Sequence, residues 1–137
     1  MPNTCKAALV RCMDFRLESA IDEYLLQENL TDNVDIISIA GAAKDLNDGS
    51  MGNAVEGQLA LSKKLHDVQT IILMNHTDCG GYGGRAAFES IEAERDNHAS
   101  ELTKAAEKLA VEYPDVEIKK ILADIKEDET IEILTVT

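Results

Sequence analysis

The fold is decided by the segment Val68-Gln69-Thr70-Ile71-Ile72-Leu73-Met74, which is followed by Asn75-His76-Thr77-Asp78-Cys79-Gly80-Gly81. The first run is apolar enough to form a strand that is buried on both faces, as strands are in the middle of a parallel sheet. The second run places potential metal ligands and flexible glycines directly after that strand. Because ligands of open α/β sheets bind beyond the carboxyl ends of the strands, this junction is a candidate site.

Shorter apolar runs and helical patterns alternate before this segment. Residues 7–10 predict a first strand that leads into Arg11 and Cys12, and residues 34–40 predict a second strand that ends at Gly41. Between them, apolar residues recur at helical spacing over residues 17–26, and the Asn, Thr and Asp residues of 29–33 end that helix.

The segment after the second strand predicts a polar loop and then a second helix. Residues 44–49 are expected to form the loop, and Ser50 is expected to cap the helix. The apolar face of this helix is predicted to consist of Met51, Val55, Leu59 and Leu65.

The C-terminal part predicts helix followed by two strands. Residues 86–113 have a helical pattern, which the polar cluster 95–98 together with Ser100 is expected to split into two helices, and Pro114 ends it. Residues 116–123 and 130–136 are expected to form a last strand pair. The order βαβαβααββ predicts that residues 1–137 form a single three-layer α/β domain, with a mostly parallel sheet of four to five strands and an antiparallel edge strand near the C-terminus.

The composition excludes several classes of protein. The 137 residues contain 13 Lys and Arg against 26 Asp and Glu, a formal net charge of −13, which disfavours binding to nucleic acid or anionic membranes. The longest apolar runs are far shorter than the ~20 residues that cross a bilayer, and residues 1–6 lack the pattern of a secretory signal. We therefore expect a soluble, cytoplasmic protein.

The three cysteines cannot all pair, so they indicate metal ligands or reactive thiols more than a disulfide framework. No C-x-x-C motif is present, which disfavours a thiol oxidoreductase. If the first strand stays extended, Cys12, Asp14 and Arg16 project from the same face. Cys5, at an odd offset from Cys12, would lie on the opposite face as a buried structural thiol.

Together, Cys12, His76 and Cys79 offer two thiolates and one imidazole, a ligand set that suits Zn²⁺. Three protein ligands leave the fourth tetrahedral position to water, as in catalytic zinc sites. Asp14 could then accept a hydrogen bond from the bound hydroxide, while Arg16 holds Asp14 in place.

These residues resemble the signature of a known family. The blocks Cys12-Met13-Asp14-Phe15-Arg16, Ala40-Gly41 and His76-Thr77-Asp78-Cys79-Gly80-Gly81 look like those of the β-class carbonic anhydrases, in the same order and at similar separations. The resemblance covers residues 5–90 well and implies a short, divergent member of that family.

The resemblance implies a function and a site. One zinc ion per chain would be bound by Cys12, His76 and Cys79, with Asp14 and Arg16 as the catalytic dyad. The reaction would be the reversible hydration of CO₂ to bicarbonate by zinc-bound hydroxide. Family members are dimers or larger, so the resemblance also implies a homodimer or a higher homo-oligomer; the acidic composition argues against a nucleic-acid or membrane partner.

The chain departs from the family pattern at Phe15, Ser38, Ile39 and Asn75, which leaves the substrate open. Related enzymes of this fold hydrolyse carbonyl sulfide or carbon disulfide, and a catalytically degenerate zinc-binding regulatory module is a further alternative. A structural zinc site with Asp14 as fourth ligand also remains open.

Simpler interpretations apply to single residues. A cysteine alone is more often a small buried hydrophobe than a ligand, and Asp14 with Arg16 could be a surface ion pair.

Glycine-rich residues 80–84 lack the Lys and Ser or Thr of a phosphate-binding loop. His66 and His98 are possible proton shuttles, but His98 is expected to be solvated, and Phe15 and Tyr82 could line a pocket or pack in the core.

Overall fold

The computed structural model describes residues 3–137 and contains five strands and four α-helices in that range. Met1 and Pro2, with which the predicted non-secretory N-terminal segment begins, lie outside the described residues. In chain order the elements are β1 (Ala7–Arg11), α1 (Glu18–Gln27), β2 (Val34–Ser38), α2 (Ala43–Asp48), α3 (Ala54–His66), β3 (Thr70–His76), α4 (Ile91–Glu112), β4 (Glu117–Ile125) and β5 (Ile131–Thr135). Short 3₁₀ turns lie at Phe15–Leu17, Gly80–Tyr82 and Arg85–Ala87.

The strands form one sheet in the order β2-β1-β3-β4-β5. Strands β2, β1, β3 and β4 run parallel to their neighbours, and β5 is antiparallel to β4 at the edge. This architecture confirms the predicted α/β fold class, including the antiparallel strand at the C-terminal edge. Every residue of β3 is buried, as the sequence predicts for a central parallel strand.

Helices cover both faces of the sheet because side chains alternate along each strand. Ala8, Val10, Ile71 and Leu73 pack in a core with side chains of α2, α3 and α4. Ala7, Leu9, Ile72 and Met74 face the other side and pack with side chains of α1, β4 and the turn before α1. Within the described residues, no helix has the length and apolar character needed to cross a membrane.

The predicted polar loop over residues 44–49 is wrong, because most of this segment forms helix α2. Ala43 and Leu46 are buried against the core, and the left-handed Gly49, with φ +67°, ends the helix. A helix as short as α2 buries few apolar side chains. Its sequence is therefore mostly polar and lacks the hydrophobic periodicity that predicts a helix. The Lys44–Asp48 ion pair, four residues apart, lies on that polar face.

The start of α3 also differs from the prediction. Ser50 does not cap the helix; the N-cap is Asn53, and its side chain makes no capping hydrogen bond. Instead, the buried carboxylate of Asp45 accepts hydrogen bonds from the backbone N–H groups of Met51, Asn53 and Val55, at 2.7, 3.1 and 2.9 Å. A side chain from the preceding helix therefore satisfies the N–H groups that a cap would normally satisfy.

Two further expectations need correction. On α3, Val55 and Leu59 are buried as predicted, whereas Leu65 is exposed; Met51 is also exposed and lies before the helix. Helix α4 is continuous and is not split at residues 95–98. The reason is that polar side chains of this cluster have partners: Arg95 forms an ion pair with Asp124 at 2.6 Å, while apolar residues further along α4 pack in the core.

Replacing Asp45 tests its role as the buried cap. We expect Asp45→Ala to lower the free energy of unfolding by about 2–4 kcal/mol, because backbone N–H groups that now bond to a carboxylate lose their acceptor. Urea denaturation followed by circular dichroism measures the change.

Asp48→Ala is the matched control, since Asp48 also accepts a backbone N–H group but is partly exposed. We expect this variant to have a much smaller effect. Equal destabilisation by the two substitutions would contradict the capping role of Asp45.

Candidate metal centre

Three potential metal ligands converge at the carboxyl ends of β1 and β3. Cys12 directly follows β1, His76 is the last residue of β3, and Cys79 lies three residues further on. Their ligand atoms all lie within 4.8 Å of one another, and all three side chains are buried. Because β1 and β3 are parallel neighbours, their ends bring together residues that are more than sixty positions apart in sequence.

The donor atoms have the orientation that a metal ion requires. His76 Nδ1 lies 2.7 Å from the Thr77 carbonyl oxygen, to which it can donate, so the lone pair is left on Nε2. His76 Nε2 is buried and has no hydrogen-bond partner among the described residues. The Cys12 and Cys79 sulfurs are 3.9 Å apart. Two Zn–S bonds of about 2.3 Å at a tetrahedral angle place sulfurs about 3.8 Å apart, so the donor set fits zinc.

The two thiols differ in their tendency to ionise. A hydrogen bond with Cys79 lowers the pKa of Cys12 well below that of a free thiol, and His76 contributes in the same direction. The pKa of Cys79 is raised, because its thiol proton is held in the hydrogen bond with Cys12 and because the side chain is buried. The hydrogen bond between the two thiols favours ionisation of Cys12, and the thiolate is the form in which cysteine binds metals.

Asp14 and Arg16 lie beside these ligands, but not by the predicted route. Strand β1 ends at Arg11, so Cys12, Asp14 and Arg16 do not share one face of an extended strand. Asp14 instead caps a 3₁₀ turn, in which its Oδ1 accepts the backbone N–H of Arg16 at 2.9 Å. The Asp14 Oδ2 atom is 3.8 Å from Nε2 of His76.

The Asp14 carboxylate and the Arg16 guanidinium form a bidentate ion pair. Arg16 donates from Nε to Oδ1 at 3.1 Å and from Nη2 to Oδ2 at 2.8 Å. These hydrogen bonds lower the pKa of Asp14 to about 2, and they raise the pKa of Arg16. The carboxylate is therefore ionised, and its position is fixed by two bonds that match the planar guanidinium.

A further set of residues holds Arg16, and the sequence analysis did not identify it. Asp78 accepts from Arg16 at both its carboxylate and its carbonyl oxygen, at 3.1 and 3.0 Å. Asp78 in turn accepts the Arg85 backbone N–H at 2.8 Å and donates its own backbone N–H to Glu94 at 2.6 Å. The position of Asp78 between His76 and Cys79 is a sequence signal that it lies at the site. No local sequence pattern indicates that Glu94 does.

Behind the site lies a buried polar cluster that corrects the expectation for His98. His98 is fully buried rather than solvated, and burial lowers its pKa to about 4. Asn75 Nδ2 lies 3.2 Å from His98 Nδ1 and donates to the Tyr82 hydroxyl at 3.2 Å, while the Asn75 carbonyl accepts the Ala43 N–H at 3.3 Å. The departure from the family pattern at Asn75 is thus part of a hydrogen-bonded network.

The glycine blocks of the motif are explained by a close approach of two loops. A Cβ atom added to Gly81 would lie 3.0 Å from the Cα atom of Gly41 and 3.6 Å from the Cys79 sulfur. Gly41 itself has φ +82°, a conformation that other residues rarely adopt. The glycines therefore allow the loop of Cys79 to pack against the end of β2.

The remaining expectations have mixed outcomes. Phe15 is 83% exposed, so it does not pack in the core, whereas Tyr82 is half-buried and packs against the core. Cys5 is only half-buried, which corrects the prediction of a buried structural thiol.

Comparisons with known proteins identify the family and the fold of the chain. The family model described as "Putative carbonic anhydrase" matches residues 2–134. An uncharacterized protein of Rickettsia conorii is 30% identical over 126 residues, which cover 88% of this chain and 68% of the relative. An uncharacterized protein of Rickettsia bellii is 29% identical over 126 residues, which cover 88% of this chain and 77% of the relative.

Solved structures show the same fold. The β-carbonic anhydrase CafD of Aspergillus fumigatus superposes with a TM-score of 0.61 at 12% identity, over 95% of this chain and 89% of that chain. A tetrameric β-carbonic anhydrase of Sordaria macrospora gives 0.50 at 19% identity, over 96% of this chain and 81% of the other. The resemblance found in the sequence is confirmed: the chain belongs to the family described as "Putative carbonic anhydrase" and has the fold of the β-carbonic anhydrases.

Proposed function

We propose that this protein is a zinc enzyme that catalyses the reversible hydration of CO₂ to bicarbonate, with residues 1–137 acting as one domain. The observation that carries the proposal is the buried group Cys12, His76 and Cys79, in which the imidazole Nε2 has no hydrogen-bond partner among the described residues. Family membership and the β-carbonic anhydrase fold support the same conclusion.

In this proposal Cys12, His76 and Cys79 hold one zinc ion per chain. When bound, zinc supplies Lewis acidity that lowers the pKa of water at its open position, so that a nucleophile is available near neutral pH. Thr77 contributes through its carbonyl oxygen, which fixes the tautomer and the ring orientation of His76. The free thiols need a reducing compartment, for which reason we propose a cytoplasmic location.

Asp14 and Arg16 act on the attacking water in the proposed mechanism. The ionised Asp14 carboxylate accepts a hydrogen bond from that water, which directs an oxygen lone pair towards the substrate carbon. Arg16 keeps Asp14 in this orientation, and Asp78 holds Arg16. In this scheme Asp14 touches the attacking water, whereas Arg16, Asp78 and Glu94 are positioning residues.

Removing one thiol tests the proposed ligands. We expect Cys79→Ser to lower the zinc content by one ion per chain and to abolish CO₂ hydration, because a hydroxyl group is a poor zinc ligand compared with a thiolate. Stopped-flow CO₂ hydration at about pH 8.5, where water on a thiolate-rich site should be ionised, measures the rate, and metal analysis gives the stoichiometry.

Cys5→Ser is the matched control, since this thiol lies outside the group and the variant should keep the full rate. Unchanged zinc content in Cys79→Ser would contradict the ligand assignment. Zinc-loaded wild-type protein that fails to hydrate CO₂ would be tested with carbonyl sulfide and carbon disulfide. Turnover of either compound would identify a hydrolase of the same fold. The absence of turnover with both would favour a regulatory module.

A second substitution distinguishes the catalytic role proposed for Asp14 from the binding of zinc. We expect Asp14→Asn to keep its zinc but to lose about 100-fold or more of the CO₂ hydration rate, because the amide cannot accept a hydrogen bond with the strength of a carboxylate. Zinc content and stopped-flow rates are compared with wild type at the same pH. An undiminished rate would exclude Asp14 from the mechanism.

Loss of zinc on the Asp14→Asn substitution would instead indicate that Asp14 is a fourth ligand. Absorption spectra of the cobalt-substituted wild-type protein distinguish that closed site from an open one.

The ion pair also predicts how stability depends on pH. The pKa of Asp14 in the folded chain is about 2, below its ordinary value, so the ion pair stabilises the fold above about pH 4 and this contribution is lost as pH falls towards 2. We expect Asp14→Asn to be less stable than wild type by about 2 kcal/mol near pH 6, with the difference shrinking below pH 4. Urea unfolding of chelator-treated proteins measures this; a difference independent of pH would contradict it.

We also propose that the chain forms a homodimer or a higher homo-oligomer. Met13 and Phe15 are 67% and 83% exposed, although they flank Asp14 beside the candidate centre. Large apolar side chains clustered on a surface are typical of interfaces, and the Sordaria macrospora neighbour is tetrameric. A partner subunit over these residues would exclude water from the site.

Replacing one of these side chains tests the interface. We expect Phe15→Ser to shift the protein towards the monomer, as measured by light scattering after size-exclusion chromatography, because the interface loses an aromatic contact. Val111→Ser is the control, since Val111 is equally exposed but lies near the end of α4. A monomeric wild-type protein would refute the proposal.

A further inference from the structure

We propose that Cys5, Asp35 and His66 form a second binding site for a transition-metal ion such as Zn²⁺. The three residues lie at the opposite end of the sheet from the first centre. Cys5 precedes β1, Asp35 is the second residue of β2, and His66 is the last residue of α3. Their ligand atoms all lie within 4.8 Å of one another.

The group is assembled by contacts between three separate elements. His66 Nδ1 is 2.7 Å from Oδ2 of Asp35, and the hydroxyl of Ser62 donates to the same oxygen at 2.7 Å. The backbone N–H of Cys5 donates to the carbonyl oxygen of His66 at 3.1 Å, which holds the thiol beside the end of α3. The donors are therefore positioned before any ion binds, which reduces the entropy cost of binding.

The donor set has the chemistry of a zinc site. Thiolate, imidazole and carboxylate are the three groups that bind Zn²⁺ in proteins. Hydrogen bonds from His66 and Ser62 lower the pKa of Asp35 despite its partial burial, so the carboxylate is ionised. Burial and the charge of Asp35 raise the pKa of the Cys5 thiol. A bound cation would reverse this effect and take the place of the protons between the three groups.

Access and charge distinguish this site from the first centre. The side chains of His66 and Asp35 are 37% and 27% exposed, whereas His76 is fully buried. An ion can therefore enter from solvent, and the net charge of −13 attracts cations to the surface. Among the described hydrogen bonds and ion pairs, no arginine contacts Asp35. The second site therefore has no ion pair equivalent to Asp14–Arg16. We infer binding without turnover, in which the ion ties α3 to β1 and β2.

Native mass spectrometry of the wild-type chain with added zinc gives the first test. We expect two zinc ions per chain in wild type and one in Cys5→Ser, while Cys79→Ser loses the other ion. One ion in both wild type and Cys5→Ser would overturn the second site. This outcome is independent of the proposed activity, since it depends on the count of ions and not on CO₂ hydration.

Spectroscopy identifies the ligands. In Cys12→Ser/Cys79→Ser the sole remaining thiol is Cys5, so any sulfur-to-metal charge-transfer band on adding Cd²⁺ must come from it. We expect one equivalent to saturate this band and His66→Gln, added to the same background, to weaken Cd²⁺ binding at least tenfold. Lys64→Gln is the control on the same helix and should leave the affinity unchanged. The absence of a band, or a band that His66→Gln leaves intact, would contradict the proposal.

Discussion

The burial of β3 is the constraint on which the rest of the structure depends. All seven of its residues are buried, with β1 on one side and β4 on the other. A strand in this position has its backbone groups paired on both edges, so its last residue, His76, enters the core with a fixed direction. The parallel alignment of β1 then sets the place of Cys12, and only the loop to Cys79 needs special glycines. The candidate centre is a consequence of sheet order more than of any single contact.

Charged groups around the centre are tolerated because each is paired. Burying an isolated charge is costly, and the cost falls when an opposite charge and hydrogen bonds are supplied. Arg16 is shared between Asp14 and Asp78, and Arg85 lies 3.4 Å from the fully buried Glu94. Backbone N–H groups of Arg85 and Asp78 donate to Asp78 and Glu94, respectively, and these bonds join the ion pairs into a network from the 3₁₀ turn after β1 to the first turn of α4. Helix α4 thereby supports the centre without contributing a potential ligand to it.

The sequence was informative wherever polarity and burial agree, and misleading where they do not. The strands, the fold class and the convergence of Cys12 with the H-x-x-C segment follow from apolar runs and from parallel topology. Helix α2, the cap of α3 and the environment of His98 depend on polar side chains that are buried and satisfied by distant partners, such as Asp45. Periodicity cannot show such partners, because their hydrogen bonds join residues that no local pattern relates. The resemblance implied a dyad of Asp14 and Arg16, but the turn that brings Asp14 near His76 was visible only in the structure.

The geometry of Asp14 bears on whether a metal at the centre keeps an open position. For Asp14 to become a ligand, its Oδ2 would have to leave Nη2 of Arg16, which now lies 2.8 Å away. Arg16 cannot easily follow, because Asp78 holds it from the other side through two hydrogen bonds. A charge-assisted hydrogen bond is worth about 1.5–3 kcal/mol, so a movement of Asp14 that breaks one is opposed by a cost of that order. If a metal binds at this centre, Asp78 would, by restraining Arg16, help to keep the Asp14 carboxylate bonded to Arg16 and available for a further hydrogen bond.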